Sequence, residues 1–131
     1  MFYPKTISIR VRAKPEQIIR AYNLPPNETY NINMTDLASA IAVILFVRVI
    51  YTPQATAGIR VRWLYSPDGV HYDSPEEAEA SGNYTDLGYV PGNSRQKTII
   101  IPVLSPYLRI QIINKDLSNP TTIDVWSTTV G

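Results

Sequence analysis

The chain has 131 residues, 44% of them hydrophobic, with no cysteine, one histidine, and 12 Lys plus Arg against 11 Asp plus Glu for a formal net charge of +1. That length suits one hydrophobic core, so a single domain over residues 1–131 is expected, and the missing cysteines exclude a disulfide framework, thiolate nucleophiles and sulfur-ligated zinc. Near-neutral charge argues against a globally basic nucleic-acid binder and against a disordered polyelectrolyte.

Met1-Phe2-Tyr3-Pro4-Lys5 runs directly into an alternating segment without a charged, apolar and small-residue sequence of the secretory kind, and is read as a mature N-terminus. Sixteen Ile, ten Val, eleven Thr and nine Tyr favour strands, because branched and aromatic side chains fit a pleated, half-buried surface. From Thr6 to Lys14, Ile7, Ile9, Val11 and Ala13 alternate with Ser8, Arg10, Arg12 and Lys14, which predicts a first strand stopped at Pro15. A second strand is expected over Glu16–Asn23, a turn at Pro25-Pro26-Asn27 and a short strand over Thr29–Met34. Thr35 or Asp36 is placed to cap a single helical turn through Ala40.

The apolar run from Leu37 to Tyr51 is too short for a bilayer-spanning helix and contains Arg48. Its branched residues and the stop at Pro53 predict a central strand covered on both faces. Ile59, Val61, Trp63 and Tyr65 alternate with Arg60 and Arg62 in the next strand, which turns at Ser66-Pro67-Asp68-Gly69. Val70–Asp73 reads as a short hairpin return, and Ser74-Pro75-Glu76-Glu77 as a helix start, with Ser at the N-cap and Pro at the first helical position. Further strands are expected at Tyr84–Val90, Gln96–Leu104, Tyr107–Asn114 and Thr121–Thr129. Eight or nine short strands in one chain, with one or two short helical turns, predict an all-β, two-sheet antiparallel sandwich of jelly-roll type.

Catalytic constellations are not evident. His71 is the one conventional base for a Ser or Thr nucleophile, and it sits in a predicted surface turn; the glycines are too scattered for a phosphate-binding loop. The reading is therefore non-enzymatic, with no cofactor and no metal assigned. Asp68, Asp73, Glu76, Glu77, Glu79 and Asp86 supply oxygen ligands of the type calcium takes, but their spacing matches no EF-hand, and the turn and helix start already account for several of them.

Charge is segregated along the chain. Residues 1–62 carry eight bases and three acids, residues 63–94 carry six acids and no base, and residues 95–131 carry four bases and two acids. Arg10, Arg12, Arg48, Arg60 and Arg62 form a candidate basic interaction face that cross-strand pairing is not expected to neutralise; the six acids form a candidate acidic interaction loop. Two arrangements remain open: the loop meets the arginine face of a neighbouring copy, or it folds back within its own chain. Arginine on a sheet face also serves simply to cover apolar surface and blunt edges.

Arg60-Val-Arg-Trp-Leu-Tyr-Ser-Pro-Asp-Gly-Val-His-Tyr72 and Ser105-Pro-Tyr-Leu-Arg-Ile-Gln-Ile-Ile-Asn114 carry a resemblance. A strand ending in Ser-x-Asp-Gly-x-x-aromatic, followed by a Tyr-x-Arg-hydrophobic strand, resembles small β-sandwich proteins of bacterial and archaeal viruses and, more weakly, galactose-binding-like (discoidin-type) jelly rolls. It covers about residues 59–114 and transfers no ligand residue. The resemblance implies a structural or interaction protein, in a virion or a host cytoplasm, acting by self-association or on another virion component. Abundant Ile, Tyr, Pro and Arg without Cys would suit a hyperthermophilic host, although eight Asn would not. The alternative is a carbohydrate-binding module using Tyr72, Tyr84 and Tyr89; a third is nucleic-acid binding through the arginine face.

Overall fold

The computed structural model describes residues 14–131. Residues 6–13 of the strand expected over Thr6–Lys14, with Arg10 and Arg12, lie outside the described residues. The described chain forms β1 (Glu16–Leu24), β2 (Thr29–Met34), β3 (Ala42–Tyr51), β4 (Ile59–Ser66), α1 (Pro75–Ala80), β5 (Tyr84–Leu87), β6 (Ser94–Pro102), β7 (Tyr107–Asn114) and β8 (Thr121–Val130). Strands pair antiparallel as β1 with β8, β2 with β7, β3 with β6 and β4 with β5, and further pairs β3–β8 and β4–β7 complete two sheets. Their orders are β1-β8-β3-β6 (sheet A) and β2-β7-β4-β5 (sheet B). This is one long hairpin rolled into a sandwich, the jelly roll expected from the turn spacing. Its tip is the acidic segment between β4 and β5.

The two sheets bury their inner rows against each other. Val43, Leu45, Val47 and Val49 of β3 meet Ile59 and Val61 of β4, Ile110 and Ile112 of β7, and Ile123 and Val125 of β8 in one core cluster, and all ten are fully buried. Each such side chain contributes about 1.5–3 kcal/mol relative to exposure, so this layer dominates stability. At one end Asn114 and Asp116, both buried, tie loops together. The Asn114 amide donates to the carbonyls of Leu24, Pro25 and Asn119, while the Asp116 carboxylate accepts from the backbone of Thr56, Ser118 and Asn119. Burial opposes ionisation of Asp116, but these backbone donors outweigh it and hold the carboxyl well below the usual range.

Three local expectations are corrected. Residues 35–40 form no helical turn: Asp36 takes a left-handed φ of 58° and the Ala40 amide closes on the Leu37 carbonyl at 3.0 Å, which turns the chain directly into β3. Val70–Asp73 is not a strand, because the Asp68 carboxylate accepts from the Val70 and His71 amides at 2.9 and 2.8 Å, occupying donors that a ladder needs. β3 is central, between β8 and β6, but only its inward residues are fully buried; burial alternates along its whole length, and the outward residues are half-buried or, at Ile50, exposed. Near the tip, Ser74 caps α1 as expected, accepting from the Glu77 amide at 3.2 Å with Pro75 in the first turn.

Candidate interaction faces

On the outer side of sheet B, β4 presents Arg60 and Arg62, and α1, with its Ala78 buried, packs against β4, where Leu64 is buried as well. The antiparallel register sets Asp86 opposite Arg60 and Tyr84 opposite Arg62. Arg60 grips both oxygens of Asp86 at 2.7 and 3.0 Å, pairs with Glu79 from α1, and stacks over the Tyr84 ring with 4.2 Å to its centroid. The hydrogen bond from Arg60 holds the Asp86 carboxyl below its ordinary range, with Lys115 and Lys97 adding to the effect, and Asp86 in turn raises Arg60. Arg62 reaches Glu79 at 3.6 Å and donates to the Gln111 side chain at 2.9 Å; Gln111 passes a hydrogen bond on to Asn31. Arg109 donates to Asn33 and stacks on Tyr72.

Of the two arrangements open to the acidic segment, the structure has the intramolecular one for Glu79 and Asp86. Against the expectation, neutralisation across strands occurs at two of the arginines: Asp86 faces Arg60, and Asp124 faces Arg48 with a nitrogen–oxygen distance of 3.9 Å. The remaining acids do local work. Asp68 faces the His71 ring and its backbone donors hold its carboxyl far below the ordinary value; Asp73 accepts from the Tyr65 amide; Glu76 and Glu77 occupy the first turn of α1. No three carboxylate or imidazole groups converge as a metal site among the described residues. The arginines do not form one patch, since Arg48 lies on sheet A and Arg60 and Arg62 on sheet B. The three tyrosines do not gather either: Tyr72 and Tyr84 each carry a guanidinium on the ring, and Tyr89 lies in the loop after β5.

The outer side of sheet A has the opposite character. The registers of β8, β3 and β6 line up cross-strand rows: Asp124, Arg48 and Gln96; Trp126, Phe46 and Thr98; Thr128, Ile44 and Ile100; Val130, Ala42 and Pro102. Phe46 and Trp126 are direct neighbours and, with Pro15 and Gln96, line a shallow groove of about 360 Å³. Ile100 is 67% exposed, and Ile41, at the mouth of β3, is 70% exposed. Ile44, Phe46 and Trp126 are half-buried, while Asp124, under Gln17 and the Ala21 amide, and Thr128 are buried. Residue phase was the available signal for this face: Ile44 and Phe46 share the parity of Arg48, and Trp126 that of Asp124, so the charged members mark which side looks outward.

Between the edges of the sandwich, where β5 passes β6, a narrower cleft of about 290 Å³ is lined by Asp86, Leu87, Arg95, Gln96 and Lys97. No helix among the described residues is long and apolar enough to cross a membrane.

No protein-family model and no curated protein matches the sequence. Among solved structures, the chain is similar over its whole length to part of a family GH115 4-O-methyl-α-glucuronidase with specificity for decorated arabinogalactans, at a TM-score of 0.54 and 12% identity. The chain spans 19% of that enzyme's length. At this identity the likeness shows a shared β-sandwich fold.

Proposed function

We propose that the chain is a non-enzymatic interaction domain that associates with copies of itself through the outer face of sheet A. The observation that carries this reading is the block of Trp126, Phe46, Ile44 and Ile100 in adjacent cross-strand rows, with Ile100 67% exposed, the other three half-buried, and Phe46 and Trp126 lining a shallow groove. A tryptophan–phenylalanine centre with aliphatic neighbours and an Arg–Asp pair at its margin is the composition of a protein interface core with a polar rim. Four strands by about nine residues give a face of roughly 19 by 30 Å, so two stacked copies bury about 1,200 Å², the lower end of stable interfaces. Because the same patch serves both partners, the contact is isologous. The resemblance at residues 60–72 and 105–114 adds the setting, a virion in which the partner is another copy or a neighbouring virion protein.

Light scattering across protein concentration tests this. Apolar association persists or strengthens as salt rises, whereas pairing of charged segments weakens. The expected result is a concentration-dependent rise in mass that survives high salt; a monomer at every concentration and ionic strength contradicts the reading, whatever then covers the face.

Carbohydrate binding is the second reading. It is favoured by Phe46 and Trp126, which share a cross-strand row and line one groove with Gln96, and by a structural neighbour with specificity for decorated arabinogalactans. Arabinogalactan binding to a monomer, lost in Trp126→Ala, would replace the first reading with this one.

A further inference from the structure

Beyond the apolar face, the edge cleft carries a separate inference. Along β6, Arg95, Lys97, Ile99 and Ile101 occupy alternate positions, paired in register with Val49, Val47, Leu45 and Val43 of β3. All four β3 partners belong to the core, and Ile99 and Ile101 are buried with them. Arg95 and Lys97 therefore continue the core-facing row of the sheet, two cations in places where the pattern calls for aliphatic side chains. They emerge where the four-residue β5 leaves the sandwich open: the Lys97 ammonium donates to the Thr85 hydroxyl at 2.8 Å, and the Arg95 guanidinium lies 3.4 Å from the Gly88 carbonyl.

The charge balance of this cleft is positive. Its one carboxylate, Asp86, already has both oxygens engaged by Arg60, with Lys115 at 3.8 Å. Among the described residues neither Arg95 nor Lys97 has a carboxylate within 4 Å, so two cations face a cleft whose acid is committed elsewhere. Residues two apart on one side of a strand sit about 6.6 Å apart, close enough to repel and to share one anion between them. Inward-pointing charge also discourages edge-to-edge sheet pairing. That role needs only a charge at the edge; it needs neither the cleft nor a second cation in the same row.

We infer that the β5–β6 cleft is a binding site for a small oxyanion, a carboxylate, sulfate or phosphate group, held by the Arg95 fork and the Lys97 ammonium. A guanidinium donates two parallel hydrogen bonds to such a group, and the ammonium adds a point charge. Arg95 and Lys97 lie on the side of β6 opposite the sheet A face, and Gln96 borders both the groove and the cleft.

The test is an NMR titration of the full chain, reading backbone amides of Thr85, Gly88 and Lys97, with sodium sulfate, phosphate and acetate in parallel and chloride keeping ionic strength constant. The expected result is saturable shifts confined to these amides with at least one oxyanion, the ranking of the three identifying the preferred geometry. Arg95→Gln and Lys97→Gln should each weaken the affinity roughly tenfold, as loss of one charge-assisted hydrogen bond does, while Arg20→Gln leaves it unchanged. The rest of each spectrum reports whether a variant is folded. Shifts that do not saturate, that chloride reproduces, or that persist in the Arg95→Gln/Lys97→Gln double variant overturn the inference.

Discussion

The outer faces of the two sheets solve the same problem in opposite ways. Sheet B carries three arginines on its outer side, and every one is engaged: Arg60 by Asp86, Glu79 and the Tyr84 ring, Arg62 by Glu79 and Gln111, Arg109 by Asn33 and Tyr72. The tip of the long hairpin, with α1, supplies Glu79 and packs against β4. Sheet A carries one distant ion pair, Arg48 with Asp124, bordered by Gln17, Arg20 and Gln96, and beyond these its outward rows hold Ile, Phe, Trp, Thr, Ala, Val and Pro. The comparison teaches that conspicuous charge in a sequence is not the same as available charge. The face that looks ready to bind by its arginines is satisfied within the chain, and the face that looks like core carries the exposed Ile100 and the groove beside Phe46 and Trp126.

The largest effect should come from removing what sheet B covers. Leu64→Ala, at a site 3% exposed on the strand that α1 packs against, is expected to cost about 2–4 kcal/mol, read as a shift in denaturant midpoint. If the cost is under about 1 kcal/mol, α1 is not a packed cover and the contrast between the faces weakens.

Arg60→Ala should cost less, about 1–2 kcal/mol, since the side chains of its partners Glu79 and Asp86 are 32% and 40% exposed and water screens part of the gain. Its pH dependence is sharper than its size. Asp86 and Asp116 have folded-state pKa values below the unfolded range, so their contribution is complete above about pH 4 and is lost as pH falls below it. Thermal melts should therefore be flat from neutral pH to about 5 and fall steeply below 4. In Arg60→Ala the Asp86 share of that loss is already gone, so the gap between variant and wild type should narrow on acidification. A constant gap would show that the pair contributes nothing through ionisation.

Much of the fold was legible because it follows from period and punctuation. Alternation identified β4, the runs between turn signals placed β7 and β8 to within a residue, and Ser74-Pro75 announced α1. The pairing of Arg60 with Asp86 was not legible in the same way. The two residues are separated by 26 positions, and the contact depends on the register of β4 against β5 after a helix and two turns. The exposure of one side of β3 was obscured because Ile41–Val47 is apolar at every position; period fails when both phases are hydrophobic, and only Arg48 breaks the tie. Asp116 passed unnoticed among turn residues, since nothing in Lys115–Pro120 distinguishes a buried hydrogen-bond hub from an exposed loop acid.

The smallest effect on stability should accompany the largest effect on function. Ile100→Lys replaces a side chain that is two-thirds exposed, so the monomer should change by no more than about 0.5 kcal/mol. The most direct measurement of the central claim is sedimentation of this variant beside Arg62→Gln, at the same concentrations and in both low and high salt. The account expects Ile100→Lys to abolish association and Arg62→Gln to leave it intact. Association lost in Arg62→Gln and retained in Ile100→Lys would contradict it, and would move the interface to the charged face of sheet B.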